Sequence, residues 1–226
     1  MAPCFFSEEE RADTQVRPYR RRNMAKKQRA KIGRILFTRE QIQERLDTLA
    51  AEIQRRYAHQ ELAVVAVLKG SLIFTADLVR RLDLPVRMDI LEVASYFDDT
   101  KPVEQQQLST YIVENVRGRH VLVVDDIVDT GGTLAKVLEV LRAERPKSLA
   151  TCVFLDKAFR RRREVPVDFC GFRLETDEFV VGYGLDFAQR FRNLPHVAVL
   201  ELPPRTPPRR KPPKKPLPRK TRPRRG

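Results

Sequence analysis

Apolar positions in this chain fall into two patterns, unbroken runs and stripes of helical spacing. Leu62–Leu68 (LAVVAVL), Val121–Val124 and Ser148–Asp156 (SLATCVFLD) carry almost no polar residue until their ends. Such runs, rich in β-branched residues, predict strands buried on both faces of a parallel sheet. Ile42, Leu46, Leu49 and Ile53 recur at helical spacing, which predicts a helix to about Tyr57. Thr38 and Gln41 stand at its start as a capping box. A second helix is predicted after Lys69-Gly70-Ser71 through about Leu82, and a third carries Leu134, Val137, Leu138 and Leu141 on one face. Further strands are predicted at 32–37, 86–93, 167–172, 179–183 and 197–202, with a long polar loop at 94–110. Strands alternating with helices imply an α/β fold with a parallel sheet and right-handed crossovers. A loop as long as 94–110 in a compact domain is usually functional.

Charge divides the chain. The formal net charge is +14, but residues 203–226 hold eleven Lys and Arg with no acid, and residues 1–31 contribute a further +5. That leaves −2 for residues 32–202, so the folded body is near neutral and any polyanion contact belongs to the tails. Nine of the sixteen prolines lie in 203–226, a low-complexity extended segment that cannot bury a core. Residues 1–31 are charged, lack periodicity and are expected to be disordered. The organisation expected is an N-terminal basic extension (1–31), one domain (32–202) and a Pro/Arg/Lys-rich tail (203–226). Cys4, Cys152 and Cys170 show no metal-ligand spacing, and Cys152 and Cys170 lie in apolar runs. No run is long enough to cross a membrane and the N-terminus lacks the pattern of a signal peptide, so a reduced, cytoplasmic setting is expected.

The chemistry concentrates at VLVVDDIVDTGGTL, residues 121–134. Asp125 and Asp126 stand at the carboxyl end of a predicted strand, where open α/β sheets bind ligands. Asp129, Thr130, Gly131, Gly132 and Thr133 then supply small side chains, hydroxyls and backbone N–H groups ahead of a helix. A small-residue loop at a helix N-terminus is an anion cradle suited to phosphate. Carboxylates beside it suit sugar hydroxyls or a hydrated Mg²⁺. A phosphate next to a polyol is a sugar phosphate. Neither the GxxxxGK[ST] loop nor GxGxxG is present.

This segment resembles the signature of the type I phosphoribosyltransferases, which bind phosphoribosyl pyrophosphate (PRPP). With four further matches it resembles the hypoxanthine-guanine branch from about residue 35 to 202. The resemblance implies the type I phosphoribosyltransferase fold: a central parallel sheet flanked by helices, with a small hood. It implies that Lys69 and Gly70, after Leu68, touch pyrophosphate in a loop that often has a non-proline cis peptide. Ser95 and Tyr96 match the serine-tyrosine pair of a mobile loop that closes over the site, although the usual glycine is missing from FDDTKPVEQQQLST. Lys157 matches the lysine that donates to a 6-oxopurine. Phe179 matches the aromatic that stacks on the base, and Val180 meets the base through its backbone. Asp186 matches a Mg²⁺ ligand, and Asp125 and Asp126 are candidates alongside it. Arg192 matches the arginine that neutralises pyrophosphate. Asp129 becomes the candidate general base, while Asp125 and Asp126 hold ribose hydroxyls. The first acidic pair departs from the branch pattern, being Asp-Asp where Glu-Asp is common. His59, His120 and His196 match no catalytic position. The implied reaction joins a 6-oxopurine to PRPP, in a homodimer or homotetramer. Two other classes stay open: a PRPP-sensing regulator that binds nucleic acid, and a phosphoribosyltransferase for another base.

Overall fold

The computed structural model describes residues 30–93, 108–109 and 116–202. The tails and the Ser95–Tyr96 pair lie outside the described residues. The elements run β1 (Lys31–Phe37), α1 (Arg39–Arg56), β2 (Leu62–Leu68), α2 (Leu72–Val79), β3 (Val86–Val93), β4 (Leu108–Ser109), β5 (His120–Val128), α3 (Gly132–Ala143), β6 (Ser148–Asp156), β7 (Phe169–Arg173), β8 (Val180–Val181) and β9 (Val197–Glu201). A 3₁₀ turn at Ala158–Arg160 follows β6.

Six strands form the main sheet in the order β4-β3-β2-β5-β6-β7. All neighbours are parallel except β4, which returns antiparallel along β3 through Glu92↔Ser109 and Val93↔Leu108. The predicted 94–110 loop therefore rejoins the sheet at its far end. Alternate strand residues separate two cores. Val64, Leu122, Val124, Ala150, Cys152 and Phe154 pack with Ile42, Leu46, Leu49 and Ile53 of α1 and Phe74 and Leu78 of α2. Ala63, Val65, Val67, Val121, Val123 and Val153 pack with Leu134, Val137, Leu138 and Leu141 of α3. Burial on both faces explains why these strands lack polar residues.

The capping box on α1 is formed: Gln41 N–H donates to Thr38 Oγ1 at 3.3 Å and Thr38 N–H to Gln41 Oε1 at 2.9 Å. Helix α2 ends at Val79 rather than about Leu82, because the N–H groups of Arg81 and Leu82 turn to the carbonyls of Leu78 and Val79, the tighter 3₁₀ pattern. Strands β1, β9 and β8 form a separate antiparallel sheet, the small hood. Strand β8 is shorter than the predicted 179–183, because the chain turns at Gly182 and Gly184, with φ of 101° and 99°. Tyr183 Oη donates to Asp77 Oδ2 at 2.6 Å and ties this turn to α2.

The topology also says where a ligand should bind. From β2 the chain moves outward to β3, then crosses back to place β5 on the other side of β2. The crevice at the carboxyl ends of β2 and β5 is therefore a switch point, the place where open parallel sheets take ligands.

Candidate active site

Both strands at the switch point end in predicted site residues. After β5 the chain passes through Asp129 and Thr130 to Gly131, whose φ of 84° only glycine adopts without cost. Gly131 is also the N-cap of α3, so no side chain at that position caps the helix, and its first residues, Gly132, Thr133 and Leu134, line a small cavity. The cavity, about 90 Å³, is lined by Asp125 and residues 127–134, including Thr130, Gly132 and Thr133. A cavity of small residues at the positive end of a helix dipole is suited to an anion, the role expected of this loop.

The paired acids sit at the rim. Asp125 is buried and its Oδ1 accepts the Asp126 N–H at 2.9 Å, while Asp126 Oδ1 accepts the Ile127 N–H at 2.9 Å. Burial first, then the neighbouring Asp126, pushes the Asp125 carboxyl well above the ordinary carboxylate range. Burial raises Asp126 as well, against the pull of its hydrogen bonds and of Arg192. Two like-charged oxygen groups in so dry a place favour holding a proton between them, or a cation or hydroxyl donor in its stead.

After β2 the Leu68–Lys69 peptide is cis, as the resemblance implies. The exposed Lys69 Nζ lies 3.6 Å from Glu92 Oε1. Gly70 is needed for space: a Cβ there would overlap the Asp126 carboxylate, and a Cβ on Gly184 would overlap the Gly70 carbonyl. The Lys69-Gly70 loop, the paired acids and the 184–192 turn thus converge. In that turn Arg192 Nη2 pairs with Asp186 Oδ1 at 2.6 Å and its Nη1 donates to the Gly184 carbonyl at 2.6 Å. Asp186 Oδ2 also accepts the Gln189 N–H at 2.7 Å. A metal candidate and a pyrophosphate candidate therefore meet as an ion pair.

Next to this loop lie the residues expected to hold the base. Lys157 is buried, and its Nζ donates to the Glu178 carbonyl at 2.7 Å, leaving two ammonium hydrogens. Burial lowers its pKa, opposed by Asp129 and Asp177. One residue along, Phe179 is 44% exposed, with Phe187 against it edge to face at 5.6 Å. An aromatic held in place yet bare to solvent is poised for a flat partner. Val180 is buried in β8, pairing with Val199. Arg160 Nε comes within 2.9 Å of Asp129 Oδ1 without hydrogen-bond alignment, and Arg160 also pairs with Asp177.

Several of these partners escape sequence reasoning. Glu92 and Phe187 act through pairing that only the fold creates. Arg160 had a visible signal, a run of four consecutive arginines at 160–163. No three Asp, Glu, His or Cys side chains converge as a closed metal cage among the described residues.

A model of the phosphoribosyl transferase domain matches residues 36–188 of this chain, which belongs to that family. Two of its curated relatives are named for a hypoxanthine activity. It is 41% identical over 170 residues to the hypoxanthine phosphoribosyltransferase of Salmonella typhimurium, covering 74% of this chain and 95% of that one. It is 41% identical over 174 residues to the hypoxanthine-guanine phosphoribosyltransferase of Aquifex aeolicus, covering 76% and 97%. A crystal structure of a hypoxanthine-guanine phosphoribosyltransferase from Bacillus anthracis superimposes with a TM-score of 0.71 at 38% identity, covering 76% of this chain and all of that one. The regulator and other-base readings are not favoured by these relatives.

Proposed function

We propose that this protein is a purine salvage enzyme that transfers the 5-phosphoribosyl group of PRPP to hypoxanthine, guanine or both, releasing pyrophosphate and giving IMP or GMP. The observation that carries the reading is the convergence of a phosphate cradle, two buried acids and a lysine–phenylalanine base site at one switch point. In this reading the 129–133 loop holds the 5′-phosphate, and Asp125 and Asp126 hold the ribose hydroxyls. That fixes the anomeric carbon for attack by the purine nitrogen. Lys69, Gly70 and Arg192 meet the leaving pyrophosphate, whose developing charge is the main thing to stabilise. Asp129 takes the proton from the base. Lys157 donates to the 6-oxo oxygen, Phe179 stacks on the ring and the Val180 backbone meets its edge. Ser95 and Tyr96 belong to the loop that closes over them.

Mg²⁺ fits this donor set as an ion shared with substrate. The dry Asp125–Asp126 pair favours a cation, and Asp186 lies across the same crevice beside Arg192. Among the described residues no three Asp, Glu, His or Cys side chains form a closed cage, which suits an ion that keeps its waters and takes phosphate oxygens. When bound it would screen the pyrophosphate charge.

Self-association as a homodimer or homotetramer is supported by exposed apolar residues on β3 and at the start of α2: Met88 (52%), Ile90 (48%) and Leu72 (54%). The basic tails are read as arms for non-specific polyanion contact. No helix among the described residues is long and apolar enough to cross a membrane, and the cytoplasm is the expected location.

The test is PRPP-dependent kcat/KM on hypoxanthine, guanine, xanthine, adenine and uracil. A hydrogen-bonding base site should reject adenine by a factor on the order of 10⁴. Equal use of adenine, or a preference for uracil, would overturn the reading.

A further inference from the structure

The phosphate loop has a second side, opposite its cavity, and one segment occupies it. The Val128 carbonyl accepts the Lys157 N–H at 2.9 Å. The Thr130 carbonyl accepts the N–H groups of Arg162 and Arg163 at 3.1 and 3.0 Å. Between them, the Asp129 carbonyl accepts from a side chain, Arg161 Nη1, at 3.2 Å. A trans peptide sets its C=O and N–H in opposite directions. Each carbonyl pinned to this brace therefore turns the next residue's N–H the other way, towards the cavity. Backbone donors hold two of the three peptides and need no particular side chain. Among the described residues the 129–130 peptide depends on Arg161 alone.

Arg161 is built for that task. Its side chain is only 14% exposed, and its Nη2 pairs with Asp156, which is itself buried. The Asp156 carboxylate fixes one arm of the planar fork, so the other arm lies in a defined place. The Arg161 stem also closes the space behind Gly131, where a Cβ would come within 3.0 Å of Arg161 Cδ.

We propose that Arg161 is a positioning residue for PRPP: through Asp156 on one arm and the Asp129 carbonyl on the other, it turns the Thr130 N–H towards the 5′-phosphate without touching substrate. The inference rests on the phosphoribosyltransferase reading above.

Two variants test it. Arg161→Lys keeps a cation for Asp156 but has no second arm for the Asp129 carbonyl. The double variant Arg161→Met with Asp156→Asn removes both charges together, so neither is left buried alone. PRPP affinity is measured calorimetrically on the full chain, beside KM for PRPP, KM for hypoxanthine and kcat. Both variants are expected to bind PRPP about tenfold more weakly, equivalent to about 1.4 kcal/mol. KM for hypoxanthine and kcat at saturating PRPP should stay within about threefold, the mark of lost binding at one subsite. Unchanged PRPP affinity in both variants overturns the proposal, as does a rise in both KM values together. If the wild-type protein binds no PRPP, the functional reading falls and the brace with it.

Discussion

Gly131→Ala, compared with Gly132→Ala, asks whether the loop conformation or merely its glycine content matters. Gly131 has a φ of 84°, where a side chain costs about 1–2 kcal/mol. Its new methyl would also run into the Arg163 carbonyl, a backbone atom that cannot swing aside. Relieving that overlap strains the two hydrogen bonds from Arg162 and Arg163 to the Thr130 carbonyl, each worth about 0.5–1.5 kcal/mol. The cost sums to about 2–5 kcal/mol. For a domain of this size each kcal/mol moves the melting temperature by about 2–4 °C, so a fall of roughly 4–20 °C is expected. At Gly132 the nearest atom to an added Cβ is Thr130 Oγ1, 3.8 Å away, and the backbone is helical. Alanine there should be neutral or stabilising by up to about 1 kcal/mol, because it restricts the unfolded chain. Thermal unfolding of both full-length variants without PRPP is the assay. If Gly131→Ala melts with Gly132→Ala, the positive φ and the Arg163 contact do not constrain this loop.

Asp129→Asn should lower kcat by roughly 10²–10⁴ with little change in PRPP affinity; near wild-type turnover would remove Asp129 from the proton transfer. Lys157→Ala should raise purine KM and narrow the preference for hypoxanthine over adenine; unchanged selectivity would place the 6-oxo contact elsewhere. Asp125→Asn should stabilise the substrate-free protein increasingly as pH rises. Burial raises the Asp125 carboxyl above its ordinary 3.8, so the stability of its protonated form is complete below 3.8 and is lost as pH rises through the folded value. Melting temperatures of the variant and wild type should converge in acid, and a difference independent of pH would refute the assignment. Deleting residues 203–226 should leave kcat/KM unchanged while flattening the salt dependence of binding to duplex DNA, by about 0.9 in slope for each phosphate the tail had neutralised; lost activity would make the tail part of the enzyme.

The parallel sheet was legible because its strands are buried on both faces, a condition that leaves unbroken apolar runs such as Leu62–Leu68. Helix α1 was legible through its stripe and through Thr38 and Gln41, which signal only to each other. Element ends were less legible where local geometry decides them. Gly182 and Gly184 cut β8 short, and i→i−3 bonds end α2 early. The loop proposed to hold phosphate could be read because one segment, 125–133, contains all of it. The pairs Lys69–Glu92, Asp186–Arg192 and Phe179–Phe187 join residues brought together by the fold, and single residues do not announce their partners. The Arg160–Arg163 run was visible as charge, but its role on the loop depends on carbonyl directions that no side-chain pattern encodes.

Incubating the full chain with PRPP, Mg²⁺ and hypoxanthine, and measuring nucleotide and pyrophosphate together, decides whether the phosphoribosyl group is transferred. IMP and pyrophosphate are expected in equal amounts, dependent on both PRPP and base. PRPP bound but never consumed, or pyrophosphate released without IMP, would contradict the transfer.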